Sequence, residues 1–151
     1  MLYDRFGIRA TPTVLALTPE EEEIDRIVGF GDAGEFQADI ERITKGVDTY
    51  RSLLAAYEKD PNDLTSAFKL AQKFERMYNP ELTDKAASIY DEILSQPEKA
   101  KSLTMPYGDE DKEIPLYEYA KYTFALAGMD YRSKLVDVIA FIDEFPESIL
   151  V

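Results

Sequence analysis

Thirty aspartates and glutamates stand in this chain of 151 residues against no histidine and no cysteine, and that imbalance decides which chemistry its side chains carry. Without imidazole there is no ordinary base that titrates near neutral pH. Without thiols there is neither a thiolate nucleophile nor, with histidine also missing, the usual zinc ligand set. Carboxylates remain. Asp109, Glu110, Asp111 and Glu113 offer the oxygen atoms a calcium ion takes, but their spacing is not that of a calcium loop, and they read as a solvated acidic link. Glu20 to Glu23 read the same way, and no pair suited to glycoside chemistry stands apart among so many. Tyr117, Tyr119, Tyr122 and Tyr131 read as packing between helices rather than as base-stacking groups in so acidic a chain. The sequence therefore predicts no catalytic residue, no metal and no cofactor of its own.

One short motif has a backbone rather than a side-chain chemistry. In Thr11-Pro12-Thr13 the X-Pro bond is of the kind that adopts cis at modest cost, which allows a tight bend with exposed main-chain groups. The totals set the context for it. A composition of 45% hydrophobic and 31% charged residues is that of a folded protein with a real core. A formal net charge of −13 argues against nucleic-acid or anionic-membrane binding, which needs a basic face, and favours a basic or neutral partner, or simply serves solubility. No apolar run approaches the roughly 18 residues that a membrane span requires, so no membrane insertion is expected. Nothing in the chain indicates a compartment.

The elements that position these residues change character along the chain. Thr13 to Leu17 is a nearly unbroken apolar run, as in a strand buried on both faces. Thr18-Pro19 and the glutamates after it make a turn, and Ile24 to Val28 return as a second strand, with Ile24, Arg26 and Val28 on one side and Asp25 and Ile27 on the other. Asp32 and Glu35 have the spacing of a reciprocal helix cap. Phe36, Ile40 and Ile43 then repeat as an amphipathic helix stopped by Gly46. From Val47 onward the helical period dominates, punctuated by Asp60-Pro61-Asn62-Asp63, Gln96-Pro97-Glu98 and Phe145-Pro146-Glu147, as in stacked helical hairpins.

Phe6-Gly7-Ile8, Thr11-Pro12-Thr13, the strand after it, Val28-Gly29 and the closing helix, in that order, resemble the C-terminal half of a thioredoxin-like domain over about residues 3–46. The resemblance implies that Thr11 and Pro12 form the loop that family uses to hold an extended substrate, beside a dithiol this chain lacks. It also implies central strands that would precede Met1, because a lone hairpin is marginal in water. The expectation is accordingly that the sequence is a piece of a longer protein.

The central helices resemble a tetratricopeptide repeat. Ala67, Leu70-Ala71 and Phe74 match its first helix, and Ala86, Ile89, Tyr90, Ile93-Leu94 and Pro97 its second. The turn between them, read as Tyr78 to Asp84, is about three residues longer than the repeat's. Asp48 to Lys59, with Leu53, Ala56 and Tyr57, resembles a second helix alone, with the helix from Asp32 to Lys45 as its expected partner. Downstream, Tyr117, Ala120, Tyr122-Thr123 and Leu126 mark one helix and Leu135, Val138, Ile139 and Ile142 another, joined through Gly128. The stretch from Ser102 to Pro115 reads as a protruding loop.

The resulting expectation is a mainly α chain, with a partial thioredoxin-like hairpin and helix over residues 1–46 and an α-solenoid of two or three tetratricopeptide-like hairpins over 47–151. The repeat implies a groove on the outward side of its first helix, lined by Thr65, Phe68, Lys69, Gln72, Glu75 and Arg76, where a peptide would lie; the alternative is an ordinary solvated helix face. The function expected is that of a non-catalytic protein-interaction module. The alternative is a fragment of a thiol–disulfide oxidoreductase whose Cys-x-x-Cys lies upstream of Met1, and a third reading is a complete, purely structural chain. Self-association is also expected, through the inner face of the hairpin and the apolar end Ile149-Leu150-Val151.

Overall fold

The computed structural model describes residues 2–29, 31–108, 112–127 and 131–150. They form two compact units, Met1–Ala86 and Ala87–Val151, so the division expected at residue 46 falls inside the first. The chain is mainly helical, with two small antiparallel hairpins. Asp109, Glu110, Asp111, Gly128 and Val151 lie outside the described residues, as do the side chains of Tyr131 and Leu135.

The first unit opens with a helical turn, α1 (Leu2–Arg5), and the hairpin β1 (Thr13–Leu17) and β2 (Glu23–Val28). The Thr11–Pro12 bond is cis. The carbonyl of Pro12 accepts the Gly29 N–H at 2.9 Å, which closes the open end of the hairpin. Pairing runs from Thr13 opposite Val28 to Ala16 opposite Asp25, then slips so that Leu17 meets Glu23, leaving Ile24 as the extra residue of a bulge. The strict alternation expected for β2 is thereby broken at Ile24. More consequentially, its two best-buried residues are charged: Asp25 is 0% and Arg26 6% exposed.

Helix α2 (Ala33–Thr44) starts where the sequence places it, with the Asp32 side chain accepting the Glu35 N–H and the Glu35 carboxylate accepting the Asp32 N–H. It ends in a glycine stop, with Gly46 N–H donating to the Ile43 carbonyl and Val47 N–H to the Arg42 carbonyl. Gly46 takes φ +67° there, which a side chain would resist. Asp32→Ala should cost about 1 kcal/mol in denaturant unfolding, the usual worth of such a cap. No residue of α2 is buried: Phe36 and Ile40 are 44% and 41% exposed, like Val14 at 44% on β1.

Helix α3 (Tyr50–Lys59), capped by Thr49 and Ser52, has α4 and β2 as its main partners rather than α2. Helix α4 (Leu64–Arg76) begins at Asp63, whose carboxylate accepts the Thr65 and Ser66 N–H groups. Ala67, Leu70, Ala71 and Phe74 are buried as the period predicts, and Leu64 and Phe68 are buried with them. Asn79 then caps α5 (Pro80–Leu94), its side-chain oxygen accepting the Glu81 N–H at 3.0 Å. The turn between α4 and α5 is therefore only Met77–Asn79, shorter than the sequence reading, because Asn79 followed by Pro80 is itself a helix start.

In the second unit α6 (Pro97–Lys101) leads to β3 (Thr104–Tyr107) and β4 (Lys112–Pro115), then to α7 (Leu116–Ala127) and α8 (Tyr131–Glu144). The stretch expected to be a protruding loop is thus an antiparallel hairpin in the described parts. Its opposed residues Met105 and Ile114 are 4% and 1% exposed, which ties it to the core. Ile114, Phe141 and Leu150 form a cluster, with Tyr107, Tyr119, Tyr122 and Phe145 against it. The Tyr122 and Phe141 rings lie 5.4 Å apart, so Tyr122 packs between helices as expected, whereas Tyr119 meets Tyr107 of β3, their rings 5.6 Å apart. The stripes shift, however: Leu126, Ile139 and Ile142 are exposed while Leu116, Ala125 and Phe141 are buried. Leu150, expected to be uncovered, is buried as well.

Candidate functional site

The expected groove residues belong to α4, and the fold separates them. Phe68, expected to face outward, is 0% exposed: it shares the buried side with Leu64 and Ala71, one turn to either side. That widens the apolar stripe beyond the residues that match the repeat. Thr65 and Glu75 are half-buried and line none of the cavities described here. Lys69, Gln72 and Arg76 do come together. They line a cavity of about 170 Å³ with Lys73, with Leu53 of α3, with Asp48 before α3 and with Arg42 of α2.

Arg42 is the hub of this site. Its Nη1 donates to Asp25 Oδ2 at 2.8 Å and to the Asp48 carbonyl at 3.0 Å, while its Nη2 and Nε hold Asp39 Oδ1 at 2.9 and 3.1 Å. Burial opposes the charge on Arg42, but the hydrogen bonds and charges of Asp25 and Asp39 outweigh it and raise its affinity for the proton above the ordinary value. Lys73 reaches the same Asp25 oxygen at 3.0 Å, and the Arg26 backbone N–H donates to the other at 2.9 Å. The buried carboxylate thus joins β2, α2 and α4. Burial pushes Lys73 below its ordinary 10.5, Asp25 pulls the other way, and Arg42 and Arg76 add to the depression.

Toward solvent the site is less committed. Lys69 Nζ lies 3.0 Å from Asp48, with both side chains substantially exposed at 37% and 47%. Arg76 is exposed and forms no ion pair recorded among the described residues. The site thus sets four cations, Arg42, Lys69, Lys73 and Arg76, against three carboxylates, Asp25, Asp39 and Asp48, a small positive excess in a chain of net charge −13. Arg42 and Asp25 were not among the expected site residues. Their distance in sequence from α4 leaves no periodic signal that would find them.

Thr11 is exposed and Pro12 half-buried, and neither lines the cavities described here. A second cavity in the first unit, of about 400 Å³, borders Phe6, Gly7, Arg9 and Arg26. Arg26 is already engaged there, donating to Glu23 at 2.6 Å and to the Phe6 carbonyl at 2.7 Å. The second unit holds a cavity of about 390 Å³ rimmed by Glu113, Glu118, Glu144 and Glu147. Three of these carboxylates have internal partners, Thr104, Ser148 and Lys121 respectively. Among the described residues no three carboxylates gather as a metal site, and no helix is long and apolar enough to cross a membrane. Compared with protein-family models, with curated proteins and with solved structures, the chain matches none.

Proposed function

We propose that the chain is a non-catalytic protein-interaction module, built from a thioredoxin-like segment and tetratricopeptide-like helices, that binds a peptide segment of its partner at the outer side of α4. The single observation that carries the reading is the pocket in which Lys69, Gln72 and Arg76 meet Arg42, Lys73 and Leu53. It gathers charged and amide groups around a single, buried apolar residue, Leu53, so a bound segment would be held mainly by charge-assisted hydrogen bonds. The thioredoxin-like part of the reading rests on the order of the motif ahead of β1, the hairpin and the capped α2. The repeat-like part rests on the burial of Ala67, Leu70, Ala71 and Phe74 on α4 and of Ala86, Ile89, Tyr90 and Ile93 on α5. In the proposed role the first segment supplies Arg42 to the site, Asp48 stands just ahead of α3, and α4 supplies the remaining cations.

The reading is tested by probing an array of random peptides with the parent chain and with the variant Lys69→Ala/Gln72→Ala/Arg76→Ala. These positions lie on the open side of α4, so the variant should keep its fold by circular dichroism. The parent is expected to retain a definable set of peptides that the variant loses. Retention of the same set by both would place any binding elsewhere and overturn the assignment.

A further inference from the structure

Resting on that reading of the site, we infer that the segment it takes is an extended acidic one, with two carboxylates three residues apart set against Lys69 and Arg76. The argument is one of charge and spacing. Lys69, Lys73 and Arg76 recur at i, i+4 and i+7 along α4, which puts the outer two about 10 Å apart along the helix axis. Lys73 between them is committed downward, its side chain 12% exposed and bound to the buried Asp25. It therefore adds positive potential without offering itself as a ligand.

The outer two are the available ones. Arg76 holds no recorded carboxylate among the described residues, and a guanidinium is the donor best shaped to grip one with two parallel hydrogen bonds. Among the described residues Lys69 is held by Asp48 alone, in an exposed pair of the kind worth about 0–1 kcal/mol, so an arriving carboxylate can share or displace it. A polyproline II segment rises about 3.1 Å per residue with three residues per turn. Residues i and i+3 then lie on one side, roughly 9 Å apart, close to the spacing of the two cations. Gln72 lines the same pocket as a neutral hydrogen-bonding group.

The overall charge of −13 does not forbid this. At physiological ionic strength the screening length is about 8 Å, so carboxylates well beyond it weigh little, while Asp48, in the pocket itself, is one that an arriving carboxylate must displace or share.

The test uses the full chain and fluorescence anisotropy with a labelled, acetylated and amidated peptide containing Glu-Pro-Pro-Glu. Beside it run the same peptide with both glutamates changed to glutamine, one with its glutamates adjacent, and one whose sole carboxylate is a free C-terminus. The first peptide should bind at least about tenfold more tightly than each of the others, as befits a lost charge-assisted contact. Arg76→Ala and Lys69→Ala should each remove most of that preference, and Arg76→Lys should restore part of it.

Equal binding of the glutamine peptide, sensitive to Arg76→Ala, would overturn the acidic assignment and leave peptide capture standing. Equal binding of the C-terminal peptide or of the adjacent-glutamate peptide would overturn the paired spacing. No binding of the first peptide at millimolar concentration would overturn the inference, while the random array judges peptide capture separately.

Discussion

Asp25→Asn is expected to destabilise the first unit by about 3–5 kcal/mol, the usual consequence of deleting one member of a buried ionic cluster. Asp25 is 0% exposed, and its carboxylate holds Arg42 at 2.8 Å and Lys73 at 3.0 Å. Asparagine keeps the shape and an oxygen but not the charge, so both cations are left poorly compensated. Against a domain stability of about 5–15 kcal/mol, such a loss separates a folded from a partly unfolded protein. Urea unfolding followed by circular dichroism measures it. A companion variant, Asp25→Leu/Lys73→Met, removes anion and cation together and should recover part of the loss. Equal stability of Asp25→Asn and parent would mean that the cluster contributes nothing.

The same replacement has a pH signature. With Asp25 neutral, Lys73 loses the carboxylate that raises its proton affinity, leaving burial, Arg42 and Arg76 to lower it further below 10.5. The unfolded chain then binds more protons at this site than the folded one between the lowered value and 10.5. In that window stability must rise with pH. Stability of Asp25→Asn should therefore climb more steeply than that of the parent from neutral pH toward the ordinary lysine value. Lys73→Met on the same background should flatten the climb.

Phe68→Ala is expected to cost about 3–5 kcal/mol, the range for emptying a buried aromatic position. The residue is 0% exposed beside Leu64 and Ala71 on α4, at 1% and 0%. Lys69→Ala, its immediate neighbour on the outer side, should change stability by less than about 0.5 kcal/mol. The contrast between adjacent positions reads the rotation of α4 directly. Thermal or urea unfolding of the two variants supplies it, and a small effect at Phe68 would mean that the aromatic faces outward after all.

These two replacements mark where the sequence was legible and where it was not. The cap at Asp32 and Glu35, the stop at Gly46 and the strand Thr13–Leu17 could be read because each is written in a few adjacent residues whose backbone preferences are local. The expected burial of that strand on both faces could not, since none of its residues is buried and Val14 is 44% exposed. The buried side of α4 was legible for Ala67, Leu70, Ala71 and Phe74 because they share one helical period. Phe68 lies at the margin of that stripe, where only the neighbours packed against the helix determine whether a side chain is covered. The link from Ser102 to Pro115 was misread for a related reason. Its strands are four residues each, too short for alternation to declare itself.

Composition alone excluded thiol and imidazole chemistry from these residues, since a group that is absent cannot be positioned. Local spacing determined the start and stop of α2 and the first hairpin. Tertiary structure alone decided that Asp25 and Arg26 are the best-buried residues of β2, because burial of a charge depends on partners such as Arg42 and Lys73 arriving from distant elements. It alone decided, too, which of the expected groove residues meet. Lys69, Gln72 and Arg76 share a pocket with Arg42 because α2 and α4 both converge on Asp25, a convergence that no periodicity along the chain encodes.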